Sequence, residues 1–401
     1  MKILEINTVN FGSTGSIMCH IAGLARENGH EAVCCYYARR DLDRGGEHIY
    51  IGNKITHNIH KLMCKYTGYN GCGSVLSTWN FLRKVRTFDP DIIHLHNLHN
   101  CYINLPMLFK YIKKNNKRVV WTLHDCWSFT GQCPHFVIAG CDKWRTGCHD
   151  CPQIHVYPSS KVDRTRKMWN LKREWFTGVQ DMTIVTPSEW LAGLVKQSYL
   201  KDYPVRVINN GIDLNVFKPC SGDWRRRNKL EGRYVILGVA SIWEQRKGID
   251  VFIKLAVRLD DRYQIVLVGT NEEVDKTLPD NIITIHRTSD QHELAEIYSS
   301  ADLFVNTTRE ENYPSVNMEA IACGTPVLTF RTGGSPEIPD EHSGAVVDVD
   351  DIDGLEEQIR KICEEKPFSE EDCVRRAESF DHNAKYNEYL HLFDTKMEYQ
   401  V

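Results

Sequence analysis

No run of about 20 uninterrupted apolar residues occurs in this chain, so no segment has the length that a membrane-spanning helix needs. The opening residues, MKILEINTVNFG, place a charge inside a short apolar run and lack a small-residue cleavage site, which reads as a strand and not as an export signal. An excess of positive charge is missing too. The 49 Lys and Arg stand against 53 Asp and Glu, for a formal net charge of -4, whereas a nucleic-acid partner would normally demand a basic excess. The expectation is a cytoplasmic protein with no nucleic-acid partner, and with peripheral attachment at the inner membrane as its closest approach to lipid.

A secreted disulfide framework is argued against on similar grounds. The fifteen cysteines are odd in number and no export signal precedes them, which points to reduced thiols. Singly placed ones such as Cys19, Cys34, Cys35, Cys323 and Cys363 lie in apolar contexts and serve there as small hydrophobes. One cluster differs. Cys133, Cys141, Cys148 and Cys151 share the polar loop FTGQCPHFVIAGCDKWRTGCHDCPQ, which ends in a C-x2-C. Four thiolates can surround one tetrahedral zinc, and a metal could replace the core that such a loop lacks. With four ligands the coordination sphere is full, so this zinc would be structural. Unligated thiols or a disulfide pair are the other states open to the cluster.

What is present is alternation. Apolar strand-like runs at 3–6, 32–37, 91–95 and 119–123 alternate with helical patterns such as 16–28, the arrangement of parallel sheets with crossover helices. The 401 residues leave room for two domains, at roughly 100–200 residues each. The segment NFGSTGSIM sets Gly12 and Gly15 around Ser13 and Thr14 before the first helix, most simply a strand-to-helix turn. In IIHLHNLHN, strand alternation puts His94 and His96 on one face. A metal site can be drawn from them, but a polar rim at the carboxyl end of a parallel strand fits better. The segment 161–176 interleaves Arg164, Arg166, Lys167, Lys172 and Arg173 with Trp169, Trp175 and Phe176, a basic amphipathic pattern suited to a membrane surface or to a plain solvated helix.

The richest stretch is 309–337, REENYPSVNMEAIACGTPVLTFRTGGSPE. It reads as a loop with Glu310 and Glu311, then Pro314 and Ser315 as start signals for a short helix holding Glu319, then a buried strand at 327–330 and the pair Gly333-Gly334. A helix that starts after a strand-end loop offers free N–H groups and a positive dipole end to an anion such as a diphosphate. Carboxylates beside that anion are better placed to accept hydrogen bonds from sugar hydroxyls.

Glu311 and Glu319, eight apart and followed by Ala-x-Ala-Cys-Gly-x-Pro-Val and Gly-Gly-x-x-Glu, resemble the signature of the family 4 retaining glycosyltransferases. The resemblance implies an α/β protein of GT-B fold, with two Rossmann-like domains whose parallel sheets face a central cleft. It divides the chain into a first, acceptor-side domain at 1–205 with the Cys-rich insertion 126–155, a donor-binding domain at 206–378, and a terminal helix at 379–401 returning to the first domain. VRVINNGIDLNVFKP resembles the family's crossing between domains, with a positive-φ turn at Asn210-Gly211.

The same resemblance assigns roles. His124, after the strand run VVWTL, would contact the transferred sugar, with Asp125 touching the acceptor or orienting it. Lys247, in Arg-Lys-Gly, would neutralise the leaving diphosphate, and Glu311 would hold the sugar. Gly15, Arg246, Arg287, Thr288, Asn312, Tyr313, Pro314, Ser315, Val316 and Glu319 would complete the donor site, Glu319 at the ribose and Arg287 and Thr288 near the base. The family usually carries an arginine six positions before the lysine, and Ser241 stands there. The implied activity is retaining transfer of a hexose or related sugar, without a catalytic metal, from a UDP- or GDP-sugar to a saccharide or polyprenyl-linked acceptor in surface polysaccharide biosynthesis, with membrane-surface contact. A sugar-nucleotide epimerase of the same fold, a phosphorylase-like enzyme requiring free phosphate and a non-catalytic sugar-nucleotide-binding protein are the alternatives. Asp348, Asp350, Asp351 and Asp353 read as helix-capping residues.

Overall fold

The computed structural model describes residues 1–37 and 46–395, so the last six positions of the expected terminal helix segment lie outside the described residues. The chain divides into two compact units. The first comprises Met1–Ile208 together with the segment from Tyr386 onward, and the second comprises Asn209–Lys385.

In the first unit, strands β1 (Lys2–Ile6), β2 (Glu31–Tyr36), β3 (His48–Tyr50), β4 (Ile92–Leu95), β5 (Arg118–Thr122), β6 (Met182–Thr186) and β7 (Val205–Val207) form one sheet in the order β3-β2-β1-β4-β5-β6-β7. Every pairing is parallel. The helices are α1 (Gly12–Glu27), α2 (Lys54–Thr67), α3 (Val75–Phe88), α4 (Leu105–Lys114), α5 (Thr165–Phe176) and α6 (Glu189–Val195). Strands such as IIHL and MTIVT are buried along their whole length, as sheets covered on both faces require.

The second unit repeats the plan. Its strands β8 (Tyr234–Val239), β9 (Tyr263–Val268), β10 (Ile282–Ile285), β11 (Leu303–Asn306), β12 (Val327–Phe330) and β13 (Gly344–Val347) run β10-β9-β8-β11-β12-β13, again all parallel. The helices are α7 (Trp224–Arg227), α8 (Ile249–Arg258), α9 (Glu272–Asp275), α10 (Gln291–Ser299), α11 (Ser315–Ala322), α12 (Ile352–Glu365), α13 (Glu370–Ala377) and α14 (His382–Asp394). In each sheet the strand order reverses beside the first strand of the unit, at β1/β4 and at β8/β11. Ligands of open α/β sheets bind outside the carboxyl ends of strands at such a point.

Helix α14 leaves the second unit and ends in the first, where Tyr386, Tyr389, Leu390 and Phe393 pack with Ile3, Ile92 and Val120. Arg118 ties its end down, donating to the Phe393 carbonyl (2.8 Å).

Several local expectations change. Helix α1 begins at Gly12, so the glycines form its first turn and do not precede it. A Cβ on Gly15 would stand 2.6 Å from the Asn10 carbonyl carbon, which is reason enough for glycine there. Gly211 and Asn210 do not adopt positive φ. A Cβ on Gly211 would instead lie 2.4 Å from the Cα of His382, so the glycine admits a close backbone approach. Helix α5 buries its aromatic face and keeps Arg166, Lys167 and Arg173 exposed, as a plain solvated helix does. Met168, Trp169, Trp175 and Phe176 are buried, and so is Lys172, whose ammonium sits 3.5 Å over the Trp127 ring and donates to the Thr130 carbonyl (2.8 Å) and the Trp127 carbonyl. Burial lowers the Lys172 pKa to about 7.

Candidate active site

In the second unit, the loops that follow β8 and β11 meet at the carboxyl ends of those strands. Lys247 Nζ donates to Glu311 Oε2 at 2.7 Å, with both side chains about one-fifth exposed. The backbone places them. Gly248, at φ +78, sits where a Cβ would lie 2.4 Å from the Thr307 carbonyl oxygen, and Thr307 Oγ1 donates to the Lys247 carbonyl (3.1 Å). The two loops are joined again where Arg309 N donates to the Arg246 carbonyl (2.9 Å). Arg309 itself holds Asp250 (2.8 Å) and Asp350 (2.8 Å) and donates to the Gln245 carbonyl, so a guanidinium fork braces the loop from below. Asp350 is therefore an ion-pair partner, and Asp351 is the residue that caps α12, accepting from Gly354 N (2.9 Å).

Gly333 fixes the far side of the Glu311 loop. Its φ is +55, and a Cβ there would lie 1.7 Å from the Glu311 carbonyl oxygen. Gly334 N donates to the Asn312 carbonyl (2.7 Å). Of the two adjacent acids, Glu310 is buried, while Glu311 is partly open to solvent. Asn312 and Tyr313 are buried, and Asn312 N donates to Glu311 Oε1 (3.1 Å). Helix α11 begins after Pro314 with no side-chain cap. Ser315 is exposed and Val316 half-buried there. One turn on, Glu319 accepts from the Tyr298 hydroxyl (3.1 Å), and removal from water pushes its pKa up.

Arg246 donates to Glu244 (3.0 Å) and to the Glu310 carbonyl (3.2 Å), so it supports the loop. Arg287 is exposed and Thr288 half-buried after β10, and Ser241 is exposed after β8.

The first unit carries a buried histidine network at the ends of β1, β4 and β5. Glu5 is fully buried and accepts from His94 Nδ1 (3.0 Å) and His96 Nε2 (2.9 Å). His94 Nε2 faces Thr122 Oγ1 at 2.8 Å. His96 Nδ1 lies 3.1 Å from His124 Nε2. Burial lowers His94 and His96 to about 3 and His124 to about 4, so all three imidazoles are neutral. A neutral imidazole has one N–H. If His96 gives its Nε2–H to Glu5, its Nδ1 accepts from His124 Nε2–H, and Nδ1 of His124 carries no proton.

His94 and His96 are thus core residues and not a solvated rim. Asp125 has close partners of its own. It binds His99 Nε2 (3.0 Å) and accepts from Trp127 N (2.8 Å), and its neighbours, His99 first among the lowering causes, hold it at about 2 against the effect of burial. Glu5 is the residue that sequence reasoning missed. Its signal was a carboxylate inside the apolar run Ile3-Leu4-Glu5-Ile6, which is tolerable only with partners.

The four loop cysteines form no disulfide. Burial pushes Cys133 up to about 12 and Cys148 to about 11, and in each case the other loop sulfurs add to the rise. Gly131 N donates to Cys148 Sγ (3.1 Å). Among the described residues, the donor sets whose atoms all lie within 4.8 Å of one another are elsewhere, at His60-Cys64-Cys101 and Glu5-His94-His96. Both nitrogens of His60 already have partners, Ser74 Oγ (2.9 Å) and Gly73 N (2.9 Å).

Two parallel-sheet Rossmann-like units define the GT-B fold of glycosyltransferases. The structure matches sucrose-phosphate synthase (tll1590) from Thermosynechococcus elongatus with a TM-score of 0.71 at 17% identity, covering 98% of both chains. It matches Anabaena Alr3699/HepE in complex with UDP with a TM-score of 0.69 at 15% identity, covering 98% of this chain and 99% of that one. At these identities the likeness concerns the fold. The family comes from the sequence: residues 15–216 match Glycosyltransferase Family 4 and residues 222–382 match Glycosyl transferases group 1, and the chain belongs to glycosyltransferase family 4.

Among curated relatives, a protein named for a glycosyl transferase role in colanic acid biosynthesis, WcaC of Escherichia coli (strain K12), is 28% identical over 67% of this chain and 66% of its own length. D-inositol 3-phosphate glycosyltransferase of Mycolicibacterium smegmatis is 27% identical over 47% of this chain and 45% of its own. N,N'-diacetylbacillosaminyl-diphospho-undecaprenol alpha-1,3-N-acetylgalactosaminyltransferase of Campylobacter jejuni is 24% identical over 49% of this chain and 55% of its own. The matches thus span about two thirds of the first relative and about half of the other two.

Proposed function

We propose that the protein is a retaining glycosyltransferase that moves a hexose or related sugar from a UDP- or GDP-sugar to a saccharide or polyprenyl-linked glycan in surface polysaccharide biosynthesis. The observation that carries this reading is the 2.7 Å contact between Lys247 and Glu311 beside the uncapped start of α11. Without a ligand the two charges satisfy each other. A bound donor would separate their tasks, its diphosphate taking Lys247 and the backbone N–H groups of Ser315 and Val316, its sugar hydroxyls taking Glu311. Glu319 is suited to the ribose, since its carboxyl oxygens can accept hydrogen bonds from ribose hydroxyls. The names of the relatives, which include a colanic acid and a diphospho-undecaprenol glycosyltransferase, favour a surface glycan or its lipid-linked precursor as acceptor.

In this reading Lys247 and the helix N-terminus stabilise charge that grows on the leaving diphosphate. Glu311, engaged with the sugar hydroxyls, binds and does not attack. Retention then follows from approach of the acceptor on the face the diphosphate leaves, with a phosphate oxygen taking the acceptor proton. His124 contributes a hydrogen bond to a sugar hydroxyl.

The test is turnover of UDP-, GDP- and ADP-sugars by the wild type, Lys247→Ala and Glu311→Gln, with the anomeric configuration of the product read by NMR. The expected loss is roughly 10²–10³ in kcat for each variant. Full turnover by either variant overturns the assignment, and a new sugar nucleotide formed from donor alone marks an epimerase.

A further inference from the structure

An exposed apolar surface lies on α2 and α3, away from Lys247, Glu311 and His124. Helix α2 exposes Ile55, Ile59, Leu62 and Tyr66, each more than half accessible. Their spacing of i, i+4, i+7 and i+11 makes one continuous stripe. His60 and Cys64, the buried residues of the helix, are on the other side, so the apolar stripe is turned to solvent and the core is served by a narrower polar face. Helix α3 adds Leu76, 76% exposed, and Trp79, 48% exposed. The two helices are held together where His60 Nδ1 meets Oγ of Ser74, the residue before α3, at 2.9 Å. A stripe of four exposed apolar side chains along one helix, with Leu76 and Trp79 exposed on the next, marks an interaction surface and not single scattered residues.

Charge identifies the partner. No acidic residue occurs between Glu47 and Asp89, while Lys54, Lys61, Lys65, Arg83, Lys84 and Arg86 all fall in that interval. With 53 acids in 401 residues, about five would be expected there. Cations also sit on the exposed rings: Lys161 lies 4.7 Å over Tyr66 and Arg83 lies 5.0 Å over Trp79. Apolar residues flanked by lysines, with Trp and Tyr under cations, match the interface of a bilayer with anionic headgroups, where the chains insert and the ammonium groups meet phosphate. A second copy fits worse. A twofold contact would set this basic surface against itself.

We propose that the outward faces of α2 and α3 dock on an anionic lipid bilayer. This replaces the basic segment of α5, whose aromatic face is buried, as the membrane-contacting element. The surface shares no residue with the set of Lys247, Glu311 and His124, and binding is measured without donor or acceptor, so failure of this proposal leaves the transferase reading standing, and the reverse holds too.

The experiment is co-sedimentation of the full chain with vesicles of equimolar phosphatidylglycerol and phosphatidylethanolamine, and with phosphatidylcholine vesicles. Two double variants are compared with the wild type, Ile59→Asp/Leu76→Asp and Lys61→Glu/Lys65→Glu, all at exposed positions. The wild type should partition to the anionic vesicles, more weakly as salt rises. Each double variant should bind roughly tenfold less or worse, with an unchanged melting temperature. Equal binding to phosphatidylcholine, or binding untouched by both variants, overturns the proposal. So does a wild-type dimer by light scattering that the same variants turn into a monomer, because the face would then be a self-interface.

Discussion

His96 Nδ1 and His124 Nε2 stand 3.1 Å apart with their rings nearly parallel, and the buried carboxylate of Glu5 on the other nitrogen of His96 sets the direction of that bond. With the Nε2–H of His96 given to Glu5, the proton of His124 lies on Nε2. His96→Leu removes the acceptor and frees the tautomer. The expected result is a fall in kcat of roughly tenfold or more with KM little changed, together with a change in the ¹⁵N signature of His124 that a purely structural role would not produce. An unchanged signature would show that Glu5 and His96 do not orient His124.

Acid should weaken the fold earlier than its carboxylates alone would suggest. His94, His96 and His124 have folded pKa values lowered to about 3, 3 and 4 by burial, whereas an unfolded imidazole titrates near ~6.5. Between those values the unfolded chain binds more protons, so stability falls as pH drops from about 6.5 towards 4, by up to about 1.4 kcal/mol per pH unit for each histidine. Glu5, raised by burial, acts in the opposite direction and offsets part of the slope. Urea midpoints at a series of pH values measure it. His94→Gln should flatten the dependence, and an identical slope in the variant would remove the histidines as its source.

Gly333→Ala should damage the donor site from behind. The new Cβ meets the Glu311 carbonyl oxygen and the backbone must keep a positive φ, a combination expected to cost about 2 kcal/mol in stability. The donor KM should rise as the Glu311 loop shifts. Ser335→Ala, two positions on, serves as control: the change only removes a buried hydroxyl that has no hydrogen-bond partner, and the position does not call for positive φ. Equal KM values in the two variants would sink the link between Gly333 and Glu311.

The cysteine loop is proposed to hold a structural zinc. Cys133 and Cys148 are pushed up both by burial and by the neighbouring sulfurs, and a divalent cation drawn in among the four would reverse both effects. Metal analysis of protein prepared without chelator should find about one zinc per chain, lost in Cys148→Ser. A clearly substoichiometric content would leave the loop as free thiols.

Much of this was legible in linear order because its causes are local. Alternating apolar runs at two periods dictate parallel sheets with crossover helices. The string from Arg309 to Glu337 has its loop, helix start, strand and glycine pair in a fixed sequence, so Glu311 and Glu319 could be placed without knowing what surrounds them.

Other relations depend on strand order, which a one-dimensional reading does not contain. Glu5 meets His94 and His96 only because β1 and β4 pair directly, across nearly ninety residues of chain. Lys247 meets Glu311 because β8 and β11 are neighbours. The sequence alone determined the family, the repeated sheet plan and the residue types of the proposed donor site. Tertiary structure decided which amphipathic face is covered: α5 turns its aromatics into the core, while α2, with a less conspicuous pattern, leaves its apolar stripe outside. Periodicity shows that a helix has an apolar side, but only packing determines whether another element lies against it.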